Sequence, residues 1–229
     1  MLGALLDLVY PPSCWSCGAP LARQREGLCA ACPIKPLGDC CRRCAEPQGP
    51  GARPGDCANC RGRALRFRRV VALGRYEGGL RRALRHAKFG GEPAAWGWMG
   101  EGLAGALSQQ PWAAELDAVV CVPSAWRARL RRGFNPAELL ARVVARRRGL
   151  PCRSWLRRPG PALPQVGLGR AARLANASGA FALARRARPG GLRLLLVDDV
   201  MTTCATAACC AGVLTQAGAL SVDIAVAGR

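Results

Sequence analysis

The sequence is poor in histidine, lysine and aromatic residues. Only Lys35 and Lys88 are lysines among its 229 residues, although Lys and Arg together number 34. The aromatic fraction of 5% limits extensive stacking on nucleic-acid bases. The lone histidine, His86, has no obvious partner, which favours a surface or packing role over catalysis.

Long apolar runs are also absent, since no stretch reaches the ~18 consecutive apolar residues of a membrane span. The apolar segment from Leu2 to Val9 lacks a basic start, contains Asp7 and runs into Pro11. It therefore predicts a short amphipathic helix rather than a signal peptide. Without an export signal, we expect a cytoplasmic protein whose 14 cysteines bind metal rather than form disulfides.

Acidic residues number 14 against 34 basic ones, which gives a formal net charge of +20. Such a charge favours a polyanionic partner, either nucleic acid or an anionic membrane surface, and predicts binding that weakens steeply with salt. The alternative is compositional, because richness in Ala, Gly, Arg and Pro can reflect the coding genome. The sequence alone leaves both interpretations open.

Eight cysteines form four C-x2-C pairs, Cys14/Cys17, Cys29/Cys32, Cys41/Cys44 and Cys57/Cys60. Eleven residues separate Cys17 from Cys29, and twelve separate Cys44 from Cys57. Facing pairs at this spacing supply the four thiolates of a structural zinc site, which makes buried, unliganded cysteines the weaker interpretation. We predict two zinc sites, each with four cysteine ligands from consecutive pairs. Interleaved pairing stays open, and Cys40 is the spare thiol.

From residue 70 onward, strand-like and helix-like segments alternate, which predicts an α/β fold with a parallel sheet. The basic segment from Arg61 to Arg69 is a connector, and we place the domain boundary there. Residues 1–66 would form the N-terminal helix and the zinc module, and residues 67–229 the α/β domain. The chain length and a hydrophobic content of 50% allow one full domain and one small one.

The stretch from Leu194 to Ala217 carries the clearest ligand-binding signal. An apolar run of strand length ends at Asp198 and Asp199, and a hydroxyl-rich turn and a helix follow. The acidic pair would accept hydrogen bonds from sugar hydroxyls or hold Mg²⁺ through water. The simpler alternative is a buried strand whose Asp caps the next helix. The amino end of the helix would receive a phosphate, and Thr202, Thr203 and Thr206 would add hydroxyl donors.

A second basic feature follows the predicted strand from Ala118 to Val122. The arginine-rich loop from Pro123 to Asn135 could meet an anion at the end of that strand, or it could simply be solvated. Asn135, Pro136 and Glu138 then match a helix start, as N-cap, first helical residue and capping-box partner.

The hydroxyl-rich turn, residues 202–206, which we call the phosphate turn, resembles the phosphoribosyl-pyrophosphate (PRPP) signature of the type I phosphoribosyltransferases. That family usually has Gly where this chain has Cys204, and a Cβ at a positive φ would cost about 1 kcal/mol and crowd the phosphate. The whole chain resembles the ComF family, the competence-protein F-like group. Besides the cysteine pairs and the phosphate turn, the matching blocks are Tyr76-Glu77-Gly78, Lys88-Phe89-Gly90, Val122-Pro123, Arg132-Gly133-Phe134-Asn135, Glu138-Leu139-Leu140-Ala141, Gln165, Arg173, Asn176 and Gly179-Ala180-Phe181.

The resemblance implies a type I phosphoribosyltransferase-like parallel sheet with helices on both faces, preceded by the zinc module. It implies that Asp198 and Asp199 are catalytic and bind Mg-PRPP together with the phosphate turn, which consists of Thr202, Thr203, Cys204, Ala205 and Thr206. Arg127 would lie near the pyrophosphate, and Arg132 would begin a flexible loop over it. The resemblance also implies a role in natural transformation, in which single-stranded DNA is handled on the cytosolic side of the uptake machinery and DNA-uptake proteins are partners.

Two functions from different classes follow. The one favoured by the charge is single-stranded DNA handling by a protein that retains a PRPP-type phosphate site. The alternative is an active phosphoribosyltransferase that moves phosphoribose from Mg-PRPP to a base-like acceptor, for which the sequence shows no recognisable pocket. A third option, a zinc-organised scaffold for partner proteins, would bind neither PRPP nor DNA.

Overall fold

The computed structural model describes residues 12–22, 26–49, 57–90, 93–159 and 180–229. The predicted helix over Leu2 to Val9 lies outside these ranges, as do the matching residues Gln165, Arg173 and Asn176.

Strands and helices alternate along the described part of residues 70–229, as the sequence predicts. In chain order they are β1 (Val70–Gly74), α1 (Gly78–Phe89), α2 (Pro93–Ser108), a 3₁₀-helix (Pro111–Glu115), β2 (Ala118–Cys121), α3 (Trp126–Arg132), α4 (Pro136–Arg148), β3 (Cys152–Arg153), β4 (Leu156–Arg157), β5 (Ala182–Leu183), β6 (Arg193–Val200), α5 (Ala205–Gln216) and β7 (Ser221–Gly228).

Five of these strands form one parallel sheet in the order β1-β7-β6-β2-β3. β6 is the central strand, because Leu195 pairs with Val119 of β2 on one side and with Asp223 of β7 on the other. Parallel strands place all their carboxyl ends at one edge of the sheet, where ligands of open α/β folds bind. The turns that follow β1, β2 and β6 therefore meet at this edge. β4 and β5 form a separate antiparallel pair.

Both faces of the sheet are covered. Every residue of β7 is buried, and since strand side chains alternate between the faces, neither face is open to solvent there. α2 and α4 pack against each other, and α5 packs on β6 and β7. Gly100 permits the helix–helix contact, because a Cβ there would lie 2.7 Å from the Val143 side chain. The predicted fold class, a parallel α/β sheet with helices on both faces, is confirmed.

Asn135 and Pro136 begin α4 as predicted, but the predicted capping hydrogen bonds do not form. Asn135 occupies the N-cap position, but its side chain makes no cap hydrogen bond. Its Nδ2 donates to the carbonyl of Val122 at 2.9 Å, and its Oδ1 accepts from Ser124 Oγ at 2.6 Å. Glu138 pairs with Arg142 at 2.6 Å instead of completing a capping box. The reason is tertiary, because α4 begins against the end of β2, where these polar groups compete for the Asn135 amide.

Candidate metal centres and phosphate site

The eight paired cysteines lie in two groups. The first group is Cys14, Cys17, Cys29 and Cys32, and the second group is Cys41, Cys44, Cys57 and Cys60. Within each group the four sulfur atoms lie within 4.8 Å of one another. Four thiols at this separation fit tetrahedral zinc, and they leave no coordination position open for chemistry. The groups consist of consecutive pairs, as predicted, and among the described residues Cys40 belongs to neither.

Tight turns hold the first pair of each group in place. The N–H of Gly18 donates to the Cys14 carbonyl at 2.8 Å, and the N–H of Ala45 donates to the Cys41 carbonyl at 2.8 Å. Gly18 and Ala45 occupy equivalent positions directly after a C-x2-C pair, and their φ angles are 74° and 54°. Glycine adopts this conformation without strain, whereas the buried Ala45 needs its surroundings to hold it.

The acidic pair and the hydroxyl-rich turn lie at the carboxyl edge of the sheet. β6 ends at Val200 and α5 begins at Ala205, so residues 201–204, which we call the phosphate loop, connect them. Within the described chain, no hydrogen bond engages the N–H groups of Thr202, Thr203 and Cys204. Consecutive free N–H groups at the amino end of a helix form an anion-binding arrangement.

Cys204 adopts the strained conformation that its position requires. Its φ is 61°, in the left-handed region that glycine adopts with the least strain. Its side chain is 1% exposed and turns toward the second cysteine group, where Arg229 Nη2 lies 3.6 Å from the Cys204 sulfur. A hydrogen bond with Cys44, and then burial, raises the pKa of Cys204, and the same bond lowers the pKa of Cys44.

Asp198 and Asp199 point to opposite faces of the sheet, because neighbouring strand residues alternate. The Asp199 carboxylate pairs with Lys88 Nζ of α1 at 2.8 Å. Asp198 Oδ1 accepts a hydrogen bond from the Asp199 N–H at 2.8 Å. Burial, and then the neighbouring Asp199 charge, raises the pKa of Asp198 to about 8. Each carboxylate is a candidate ligand for an added divalent cation, since Mg²⁺ prefers oxygen ligands.

Lys88 is not among the residues that sequence analysis assigned to the site. It lies on α1, and only its 2.8 Å ion pair with Asp199 reveals its place at the acidic pair. Two signals could have pointed to it, because it is one of two lysines and it stands in the Lys88-Phe89-Gly90 block.

The structure does not bring Arg127 and Arg132 to the phosphate loop. Both belong to α3, so the arginine-rich loop predicted here contains a helix. The Arg127 guanidinium lies 5.4 Å from the centre of the Trp126 ring, and Arg132 Nε donates to the Ala128 carbonyl at 3.2 Å. Residues 126–132 and 198–206 are all described, and no contact joins either arginine to the loop. α3 nevertheless follows β2 and begins at the same edge of the sheet.

Comparison with known proteins identifies the N-terminal module. Residues 5–61 match the family model of the double zinc ribbon domain. Together with the two groups of four cysteines, this match supports zinc as a structural cofactor. The chain is thus of the class that joins a double zinc ribbon to a parallel α/β domain. No helix in the described part of the chain has both the length and the apolar character needed to cross a bilayer.

Relatives over nearly the full length identify the family. The DNA utilization protein YhgH of Salmonella typhi is 31% identical over 229 residues, which cover 95% of this chain and 96% of that protein. The YhgH protein of Escherichia coli strain K12 is 29% identical over 234 residues, with 95% and 96% covered. The chain belongs to the ComF family, together with these YhgH proteins.

One solved structure is similar to part of the chain. It is the glutamine PRPP amidotransferase from B. subtilis complexed with ADP and GMP, with a TM-score of 0.37 and 18% identity. The match covers 58% of this chain and 26% of that one. A likeness of this extent supports no argument about ligands or activity.

Proposed function

We propose that the chain binds PRPP with Mg²⁺ at the turn between β6 and α5. The observation that carries the proposal is the combination of two carboxylates with three consecutive free N–H groups at the carboxyl edge of the central strand. The side chains of Thr202, Thr203 and Thr206 are exposed at the same place. The N–H groups and hydroxyls would hold a phosphate, while Asp198 and Asp199 would hold the ribose hydroxyls or Mg²⁺.

Calorimetric titration of the zinc-loaded chain with PRPP and Mg²⁺ tests this proposal. We expect binding by the wild type and none by the Asp198→Ala/Asp199→Ala double variant, which removes both carboxylates. The matched control is Glu101→Ala, because this acid of α2 pairs with Arg146 and Arg147 away from the loop. Absence of binding by the wild type would overturn the proposal.

The alternative predicted from the sequence, transfer of phosphoribose to a base-like acceptor, uses the same site. Incubation of PRPP with candidate bases, followed by assay of released pyrophosphate, separates catalysis from binding alone. Release that depends on Asp198 and Asp199 supports an enzyme. PRPP binding without release in the presence of any base supports a protein that uses the site only for binding.

A separate observation favours a second function, the binding of single-stranded DNA by α3. No residue of this helix is buried, and Trp126 and Leu130 are 54% and 73% exposed. Arg127 stacks on Trp126, and Arg129 and Arg131 are exposed on the same short helix. An exposed aromatic ring among arginines can stack on bases while the guanidinium groups bind phosphates. The net charge of +20 and the name DNA utilization protein carried by the relatives agree with this role.

Titrating an unstructured oligonucleotide at several salt concentrations tests this second function. We expect Trp126→Ala to weaken binding at every salt concentration without changing the salt dependence. Arg131→Gln should lower the slope of log affinity against log salt by about 0.7, the value for one phosphate contact on a single strand. Phe89→Ala, which removes a ring that is 69% exposed on α1, is the control. Wild-type binding that does not respond to salt would contradict the proposal.

We further propose that this DNA binding serves uptake of DNA on the cytoplasmic side of the membrane, with proteins of the uptake machinery as partners. Transformation frequency in a naturally competent host measures this role. The Trp126→Ala variant should lower the frequency, whereas Phe89→Ala should not. Equal frequencies for both variants and the wild type would contradict a role of this DNA binding in DNA uptake.

A further inference from the structure

Arg229 contacts both the phosphate loop and the second cysteine group. Its Nη1 donates to the carbonyls of Met201 and Thr202, at 3.0 Å and 2.7 Å. Its Nε donates to the carbonyl of Cys44 at 2.6 Å, and its Nη2 lies 3.6 Å from the Cys44 sulfur. The residue is 7% exposed, so its guanidinium is held by protein groups rather than by solvent.

A second arginine extends the same contact. Arg63, three residues after the last cysteine of the second group, donates from Nη1 to the Thr203 carbonyl at 2.8 Å and to the Asn59 carbonyl at 3.2 Å. Glu46 follows the Cys41/Cys44 pair, and its carboxylate accepts from Asn59, which lies between Cys57 and Cys60, at 2.8 Å. The same carboxylate pairs with Arg229 at 2.5 Å. The carbonyls of three consecutive loop residues therefore face the second cysteine group.

The direction of these carbonyls determines where the loop N–H groups point. In a planar trans peptide, the C=O of one residue and the N–H of the next point in opposite directions. No cis peptide occurs among the described residues. Because the carbonyls of residues 201–203 face the arginines, the N–H groups of residues 202–204 face away from the cysteine group. They are the N–H groups that the proposed function assigns to the phosphate.

The first cysteine group has an arginine contact without this link. Arg82 of α1 places Nη2 at 3.4 Å from the Cys32 sulfur and donates from Nε to Ser16 Oγ at 2.9 Å. Among the described residues, Arg82 makes no contact with the phosphate loop. Among the described residues, arginine side chains therefore link the second cysteine group to the phosphate loop, whereas Arg82 does not link the first group to it.

We propose that Arg229 is a positioning residue that couples zinc occupancy of the second cysteine group to the conformation of the phosphate loop. Zinc on Cys44 and its three partners holds the Cys44 carbonyl and sulfur, these hold the guanidinium, and the guanidinium holds the loop carbonyls. Loss of zinc from the second group releases the loop, whereas loss from the first group does not. The consequence for ligand binding rests on the proposed function of this loop.

The first experiment needs no ligand and measures backbone order parameters of residues 201–206 by ¹⁵N relaxation in the full, zinc-loaded chain. We expect lower order parameters in Arg229→Gln and Cys60→Ser, and wild-type values in the matched controls Arg82→Gln and Cys17→Ser. Order parameters of β6 and β7 report whether the sheet itself stays folded. Unchanged loop values in Arg229→Gln, or an equal loss in Arg82→Gln, would overturn the proposal.

The second experiment measures PRPP affinity in the same variants. We expect Arg229→Gln to bind about tenfold more weakly, equivalent to about 1.4 kcal/mol, and Arg82→Gln to bind like the wild type. Added ethylguanidinium should restore part of the affinity of Arg229→Ala, because it can donate the same hydrogen bonds from the vacated position. Damage that is merely structural would not respond to this ion.

The two experiments separate the two proposals. If the wild type does not bind PRPP, the proposed function fails, and the loop order parameters still decide the coupling. If the wild type binds PRPP but neither readout changes in Arg229→Gln, the coupling fails and the proposed function stands.

Discussion

Cys204 is subject to two opposing effects at a single residue. Its φ of 61° strains any residue with a Cβ, whereas its buried thiol contacts Cys44 and Arg229. Replacement by glycine removes both the strain and the thiol contacts. Replacement by alanine removes only the thiol contacts, so the pair of variants separates the two effects.

We expect Cys204→Gly to be more stable than Cys204→Ala by about 1 kcal/mol, the usual cost of a Cβ in the left-handed region. Both variants lose the same thiol contacts, so the thiol does not contribute to the difference. Urea denaturation of the zinc-loaded variants measures it. Equal stability would mean that the backbone at residue 204 carries no such strain in solution.

Asp198 gives the stability a pH dependence opposite to that of most carboxyl groups. Its pKa rises from 3.8 to about 8 on folding, so the folded state binds more protons than the unfolded state between these values. Stability should therefore fall as the pH rises through that window, and Asp198→Asn should remove this loss. We expect the unfolding free energy of the variant, relative to wild type, to increase by about 1 kcal/mol or more from about pH 5 to about pH 8. Chemical denaturation at several pH values measures the difference, and a difference independent of pH would contradict it.

At the scale of an element, β7 carries a buried carboxyl group near its amino end. Asp223 is 0% exposed, accepts from Arg68 Nη2 at 2.7 Å, and lies 3.9 Å from Arg69 Nε. Its Oδ1 has no hydrogen-bond partner among the described residues. Arg68 is therefore the residue that makes burial of this carboxylate tolerable.

We expect Arg68→Met to lower the unfolding free energy by about 3 kcal/mol, because it leaves Asp223 charged and buried without its hydrogen-bond partner. Arg69→Met is the matched control, since it removes a neighbouring charge at the longer distance and should have a smaller effect. Denaturant titration of the two variants compares them. Equal losses would show that the Arg68 contact at 2.7 Å contributes no more to the unfolding free energy than the Arg69 contact at 3.9 Å.

At the scale of the whole molecule, we expect folding of the ribbon module to depend on metal. Structural zinc contributes on the order of 10 kcal/mol per site to the folding of a small module, so chelation should unfold the cysteine-rich region. Because Arg229 contacts both that region and the phosphate loop, chelation should also change the conformation of this loop in the α/β domain.

We expect two zinc ions per chain in the wild type and in Cys40→Ser, and fewer in Cys60→Ser, because Cys60 belongs to a group of four and Cys40 does not. Elemental analysis of the purified, dialysed proteins measures the ratio. Circular dichroism during chelation follows the loss of structure. A lower zinc content in Cys40→Ser would contradict the assignment of this residue as the spare thiol.

Local patterns predicted most of the elements that position the site. The run from Leu194 to Val197 marks a buried strand because every residue in it is apolar, and the structure has it fully buried in β6. The capping of α4 could not be predicted in the same way. Asn135 has the correct residue type for a cap, but the groups that take its amide belong to the end of β2. Competition of this kind depends on which elements pack together.

By itself the sequence determined the four cysteine pairs, the central strand and the acidic and hydroxyl-rich turn, because each consists of residues adjacent in the chain. Only the tertiary structure decided that consecutive cysteine pairs form the groups and that Lys88 pairs with Asp199. It alone brought Arg229 to Cys44 across 185 positions of the chain and Arg63 to Thr203 across 140. No local pattern encodes contacts over such separations, since the strand order of the sheet and the packing of the ribbon module against it create them.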